Sequence, residues 1–290
     1  MRKPLIAALV AGAIASVPAF SSFAQGQQNR QVPLPSMATV SAAMQRTFGY
    51  DPKVTWTIHT IRPSAISNMT DVLVSMGKQP PVHLFLSPDG KNAIVGQMLP
   101  FGLDPFAPTR ATLKVGRGPA LGADKPKIDI FVFTELECPH CKAAHPILLR
   151  LAKDFPQIRL VFEHFPLPPS THPWAMKAAA YAACTGHGKP FWDYVTAVFE
   201  KMEEITPATA DERLQGIAKT VGLNPSALAT CVAQPATRAL IDNSRMLGEA
   251  LDVNQVPTVF VNGRRVLSIA TIPYEDLKQL VQFEIDHANR

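Results

Sequence analysis

The sequence predicts an α/β fold carrying an inserted helical subdomain, preceded by a small α+β N-terminal domain. Three features of the 290-residue chain predict it. An apolar run over 128–133 leads directly into Cys138-Pro139-His140-Cys141, a second β-rich run follows at 158–162, and the stretch 174–251 holds several helix starts and few strand signals. The length accommodates one large domain or two small ones, each able to bury a core without metal or disulfide staples.

In chain order, Met1-Arg2-Lys3, the apolar run 5–17 and the small-residue pattern Ser22-Phe23-Ala24 predict a secretory signal peptide over 1–24. The run is short of the roughly 20 residues a spanning helix needs. Residues 25–36 are rich in Gln, Asn and Pro and read as a flexible leader. The N-terminal domain, 37–105, opens with Met37, Val40, Met44 and Phe48 at helical spacing, with Gly49 placed to end that helix. Trp56, Ile58 and Thr60 alternate with Thr57, His59 and Ile61 as a strand, and 82–86 and 93–97 flank Ser87-Pro88-Asp89-Gly90 as a hairpin. Residues 106–124, with many Gly and Pro and little periodicity, read as a linker.

The second domain, 125–290, begins with 128–133 as a strand buried on both faces. A helix carrying Ile147, Leu148 and Leu151 and the strand at 158–162 complete a strand–helix–strand unit. The insertion, about 172–251, contains four or so helices, one starting at Asn224 as N-cap with Pro225 in the first helical position. Strand character returns at 256–261, turns at Asn262-Gly263 and resumes at 265–269. A last helix starts near Pro273 and places Leu277, Leu280, Val281 and Ile285 on one face.

The formal charge of +5 is spread without any run of Lys or Arg, so no nucleic-acid role is expected. Four cysteines are too few for a disulfide-scaffolded fold of this size, yet export places them where disulfides persist.

A Cys-x-x-Cys where a buried strand meets a helix start sets its first sulfur beside unpaired NH groups and the positive end of the helix dipole. Both favour a thiolate at Cys138, and His140 adds a donor or a positive charge. Cys138 is expected to be exposed and ionised, and Cys141, one turn inside, to act as the shielded resolving thiol. A stabilised thiolate is also a good leaving group, which makes the disulfide form an oxidant. Cys-x-x-Cys is also half of many zinc ligand sets, with His140 and His145 close in sequence. Cys184 and Cys231 lack the second close-spaced pair such sites usually show, and no metal or cofactor is expected.

The succession of strand, Cys138-Pro139-His140-Cys141, Pro146 in the following helix, helical insertion and Val256-Pro257-Thr258 opening a strand resembles the DsbA family of bacterial disulfide oxidases. The resemblance runs from about Lys127 to the C-terminus and implies a thioredoxin-like fold. It implies that Pro257 is cis and lies against the active-site sulfurs, with Val256 beside it, the two receiving substrate backbone. It also implies exported, reduced or unfolded proteins as substrates, a periplasmic or secreted location and a membrane quinone-linked reoxidising partner. Relatives with an Ala-rich helix before Gly188-Lys189-Pro190-Phe191-Trp192 often carry a structural disulfide, which implies pairing of Cys184 with Cys231; two buried free thiols remain the alternative.

One position departs from the family pattern. Relatives often bury an acidic residue six positions before the first cysteine, where it helps to move protons, and this chain has Val132 there. Glu135 and Glu137 are closer to the motif and either substitute for it or stand as solvated loop charges. His164 reads as a hydrogen-bonded loop residue, and His172 and His187 as residues capping or flanking helices. Trp174, Phe191, Trp192 and Phe199 read as core.

Two further functions stay open. The N-terminal α+β unit resembles, in layout only, dimeric isomerases or reductases of the DsbC and DsbG kind, with a homodimer formed through that unit. A chaperone-like client-binding protein is the other.

Overall fold

The computed structural model describes residues 33–48, 54–66, 68–96 and 104–288. The signal peptide expected at 1–24, most of the 25–36 leader and the helix end expected at Gly49 lie outside them. The chain divides into two compact units, Met1–Leu99 and Pro100–Arg290.

In the first unit α1, Met37–Phe48, forms on the predicted spacing and buries Val40 and Met44. Ser36 Oγ accepts from Thr39 NH at 3.1 Å and caps its start. Four antiparallel strands follow in spatial order: β1 (Trp56–Pro63), β2 (Thr70–Met76), β3 (Val82–Leu86) and β4 (Ala93–Gly96). The β3–β4 pair is the predicted hairpin, but β2, a central strand, was not expected from the sequence. Its Val72 and Val74 pack with Val40, Met44 and Leu84. Its interruption, Asp71, is buried because Arg62 Nε donates to it from β1 at 2.9 Å and His83 Nδ1 lies 2.7 Å away on β3. Cross-strand partners of this kind make a buried carboxylate tolerable.

The second unit is built on a five-stranded sheet ordered β5-β7-β6-β8-β9, comprising β5 (Ala120–Gly122), β6 (Ile128–Thr134), β7 (Ile158–His164), β8 (Thr258–Val261) and β9 (Arg264–Val266). Only β6 and β7 pair in parallel, joined through α3 (Pro139–Asp154). β6 sits in the middle with Ile130, Val132 and Phe133 fully buried, as its unbroken apolar run requires. Five α-helices occupy the insertion: α4 (Ala175–Ala183), α5 (Lys189–Glu200), α6 (Ala210–Thr220), α7 (Pro225–Val232) and α8 (Pro235–Ala250). Asn224 caps α7 as expected, its Oδ1 accepting from Ser226 NH at 3.0 Å and Ala227 NH at 3.2 Å. The chain closes with α9, Tyr274–Asp286, which buries Leu277, Val281 and Ile285.

The 106–124 stretch is not a linker. It contains α2, Ala107–Leu113, and β5, which pairs antiparallel with β7. Its glycines serve close packing rather than freedom: a Cβ on Gly118 would lie 1.7 Å from the Phe162 carbonyl oxygen. At Gly122, φ is +105° and a Cβ would lie 2.5 Å from the Ile158 carbonyl oxygen. The final strands are also shorter than expected, β8 starting at Thr258 because Pro257 has no NH to give a ladder.

Candidate active site

β6 carries the chain into the loop 135–137, and Cys138 is the N-cap of α3, extended at φ −92° and ψ 120° with Pro139 as the first helical residue. This is the strand-to-helix junction the sequence predicts. Cys138 and Cys141 stand as free thiols, and both are buried, at 4% and 1% exposure. The expectation that Cys138 is exposed is therefore corrected: only Pro139 and His140 of the motif face solvent. The cover comes from the segment before β8. The Val256–Pro257 peptide is cis, and the Cys138 thiol donates to the Val256 carbonyl oxygen at 3.8 Å.

The two sulfurs differ sharply. The Cys138 thiol is pulled down to about 6, first by the hydrogen bond from Cys141, then by the backbone NH groups of Cys141 and His140 and by the His140 side chain, against the opposing effect of burial. Cys141 is pushed well above the ordinary thiol range by burial and by Cys138, with the Thr134 side chain and the Glu135 NH pulling weakly the other way. One sulfur is a nucleophile and leaving group at neutral pH, and its neighbour holds its proton.

The acids of the preceding loop are not solvated charges. Glu135 is buried, and its carboxyl is pushed up to about 8, mainly by burial and then by the Cys138 charge. Its Oε1 lies 2.5 Å from His172 Nδ1, and its Oε2 accepts from Glu137 NH at 3.4 Å. Glu137 is half-buried and accepts from Trp174 NH at 2.8 Å and from Ala175 NH, so it caps α4 from outside that helix. Val132, six residues before Cys138, is an ordinary core residue paired with Val259 of β8.

The remaining histidines separate by environment. His172 does not simply flank α4: it lies against Glu135 in the loop before that helix. His145 is buried on α3, 2.8 Å from Thr196 Oγ1 and stacked on Trp192, and burial pulls it down to about 4. His164 ends β7 wholly buried between Phe162 and Phe191, with no hydrogen-bond partner for Nε2, so it is not the hydrogen-bonded loop residue expected. It too is pulled down to about 4.

Among the described residues, Glu135, Glu137 and His172 are the group whose ligand atoms lie within 4.8 Å of one another. Glu137 is engaged with the α4 terminus, while Glu135 Oε1 and His172 Nδ1 face one another at 2.5 Å and have no other partner. A cavity of about 640 Å³ opens near the start of β6, the opposite end from the cysteines. Its arginines are engaged: Arg110 with Asp104 and the Asn262 carbonyl, Arg159 with Asp129, and Arg117 with the carbonyls of Lys114 and Gly116.

Away from the motif, a disulfide joins Cys184, at the end of α4, to Cys231 in α7, with Cα atoms 5.8 Å apart. Thr237 Oγ1 lies 3.6 Å from both sulfurs and donates to the Cys231 carbonyl at 2.7 Å. Among the described residues, no helix is long and apolar enough to cross a membrane.

Comparison with known proteins agrees with this architecture. The chain resembles in fold the thiol-disulfide exchange protein alpha-DsbA2 from Wolbachia pipientis, at 19% identity and a TM-score of 0.51 over 61% of this chain and 96% of that one. It resembles BdbD from Bacillus subtilis at 21% identity and a TM-score of 0.51, over 58% of this chain and 93% of that one. The catalytic domain of Proteus mirabilis ScsC aligns at 17% identity and a TM-score of 0.52, over 64% and 99% respectively. Among curated sequences, the Na(+)/H(+) antiporter NhaA 1 of Salinispora arenicola is 30% identical over 144 residues, 50% of this chain. The aligned segment spans only 21% of that relative's length. A family model described as thioredoxin matches residues 114–282, more than half of the chain. The chain belongs to the thioredoxin family, with the fold of the DsbA-type thiol-disulfide oxidoreductases and an additional N-terminal unit.

Proposed function

We propose that this protein is an exported thiol-disulfide oxidoreductase that donates a disulfide to reduced substrate proteins through Cys138 and Cys141. The observation that carries this reading is the asymmetry of the pair: a Cys138 thiol near 6 facing the Val256 carbonyl beside cis Pro257, and a Cys141 thiol far above it. In the oxidised enzyme a substrate thiolate attacks Cys138, the disulfide breaks, and Cys141 leaves with the electron pair and takes up a proton. A second substrate thiolate then attacks the substrate sulfur of the mixed disulfide, and Cys138 leaves as a thiolate. The substrate is oxidised and the enzyme dithiol reduced, and a low leaving-group pKa favours that direction.

Val256 and Pro257 receive the substrate backbone in this scheme, and Cys184–Cys231 ties the insertion together without taking part. The full cycle needs a reoxidising partner, for which a membrane quinone-linked oxidase is the proposal, in a periplasmic or secreted setting. The N-terminal unit is assigned to client binding or homodimer formation. The reduction potential of the Cys138–Cys141 pair tests the direction: an oxidase sits tens of millivolts or more above thioredoxin's roughly −270 mV. A value at or below thioredoxin's makes the protein a reductase. Peptide oxidation by wild type and its loss in Cys138→Ser test the chemistry itself.

A further inference from the structure

His172 has no part in the scheme above, yet it is the residue that meets the buried acid next to the cysteines. Its side chain is 19% exposed while that of Glu135 is 0% exposed, and the two are 2.5 Å apart. Glu135 in turn brackets the dithiol, its NH directed at the Cys141 sulfur and its carboxyl interacting with the charge on Cys138. A contiguous path of ionisable groups therefore runs from the buried sulfurs to the surface. The disulfide-exchange reading, on which this inference rests, requires such a path, because Cys141 leaves as a buried thiolate with no access to water of its own.

We propose that His172 is a positioning residue of the exchange site: it holds the Glu135 carboxyl against the cysteine pair and connects it to solvent, so that the proton taken up by the dithiol passes through Glu135 and His172. When Cys141 departs, the Glu135 carboxylic acid gives up its proton towards the new thiolate, and the carboxylate so formed is recharged through the imidazole from water. One proton enters from solvent for each disulfide reduced, and no further co-reactant is consumed. The direction of the Glu135 shift supports the role, since burial, its largest cause and present in both redox states, favours the protonated acid that has a proton to give. The groups that face the Glu135–His172 pair are Cys138 at the start of α3 and Glu137 in the loop; the latter is occupied by the α4 NH groups. His172 also lowers the pKa of Glu137, so the imidazole lies between two acids.

The test is the rate at which the oxidised protein is reduced by a small thiol-containing peptide, measured by stopped flow between pH 5 and 9. Wild type, Glu135→Gln, His172→Ala and His172→Asn are compared, with Cys138→Ser as the control that forms no disulfide, and Cys138 thiolate absorbance is titrated in each reduced sample that retains Cys138. The wild-type profile should break where Glu135 ionises, above the ordinary carboxylate range because burial persists and below the value of about 8 that includes the Cys138 thiolate charge, and Glu135→Gln should remove that break. His172→Ala should slow exchange on the acid side of that break by about a hundredfold, the lower end of what a positioned acid–base group contributes. Added imidazole should restore part of that rate. His172→Asn keeps a side-chain NH near the Nδ1 position but carries no exchangeable ring proton, so it should restore the thiolate titration and not the rate.

A His172→Ala enzyme with wild-type rate and pH break overturns the proposal. So does a His172→Asn enzyme with the wild-type rate, or a slow His172→Ala enzyme that imidazole does not speed. If the alanine variant fails to fold, the asparagine variant alone decides. A wild type no faster than Cys138→Ser would instead sink the exchange function itself, which keeps the two failures apart.

Discussion

Two cysteine pairs in the same unit, Cys138–Cys141 and Cys184–Cys231, contain identical atoms and face opposite demands. The first caps α3 where a strand, a helix N-terminus and the Val256 carbonyl converge, and its sulfurs are free. The second joins two helix ends of the insertion, with only a threonine hydroxyl near its sulfurs. The Cys141 thiol and then the backbone NH groups of Cys141 and His140 are directed at Cys138, which makes its thiolate stable and its disulfide easy to reduce. Reactivity here belongs to the surroundings of a cysteine, not to the cysteine.

The largest expected contrast is in alkylation of the reduced protein. Brief labelling at pH 6–7 followed by mass mapping should modify Cys138 at least about a hundredfold faster than Cys141, because only the thiolate attacks. Burial of both sulfurs slows both reactions, so a small reagent is needed, and preferential labelling of Cys141 would reverse their roles. Cys184 and Cys231 should stay unlabelled until stronger reductant opens them.

Breaking the second pair should cost stability and leave exchange intact. A Cys184→Ala/Cys231→Ala variant should lose about 2–4 kcal/mol in denaturant unfolding, the usual range for a bridge of this loop length. Its peptide-oxidation rate should match wild type. An unchanged midpoint would remove the structural role; a lost rate would mean that the insertion positions the active site more directly.

The pairs also differ in their dependence on pH. Cys138 has a folded pKa near 6, below the ordinary thiol value of 9.0, so in reduced protein its contribution is fully present above about 9 and is lost as pH falls towards 6. Glu135 acts with opposite sign: its folded pKa near 8 lies above 4.5, so its contribution is complete below 4.5 and is lost as pH rises to 8. Oxidised protein keeps only the Glu135 effect. The stability of the reduced form minus that of the oxidised form should therefore rise between pH 6 and 9, and a flat difference would contradict the lowered Cys138 pKa.

The smallest expected effect concerns the link between the motif and the insertion. Glu137→Gln keeps an acceptor for the α4 NH groups but removes the charge beside the helix terminus, and should cost about 0.5–1 kcal/mol. Exchange should change by less than it does in Glu135→Gln. The reverse ranking would exchange the roles assigned to the two acids.

Much of this molecule is legible along the chain. The run 128–133, the helix spacing after Pro146, the Asn224-Pro225 start and the 82–96 hairpin are local patterns, and the structure realises each of them. β2 escaped because Asp71 interrupts its apolar run, and only Arg62 and His83 on neighbouring strands make that acid acceptable. The 106–124 stretch reads as a linker along the chain because glycine carries two meanings, freedom and close approach, and only the distance from Gly118 to Phe162 separates them. His172 and Glu135 stand 37 positions apart, with nothing local in the sequence marking them as a pair.

By itself the sequence determined the strands and helices whose local pattern is unbroken, and that a Cys-x-x-Cys sits where one becomes the other, because periodicity and capping act within a turn or two of chain. Only the tertiary structure decided what surrounds the sulfurs. It brought the Val256 carbonyl to Cys138 from 118 residues away, buried Glu135 beside it, set His172 on that acid and turned Glu137 to the α4 terminus. Burial and charge proximity, which set those pKa values, depend on distances in space that chain separation does not encode.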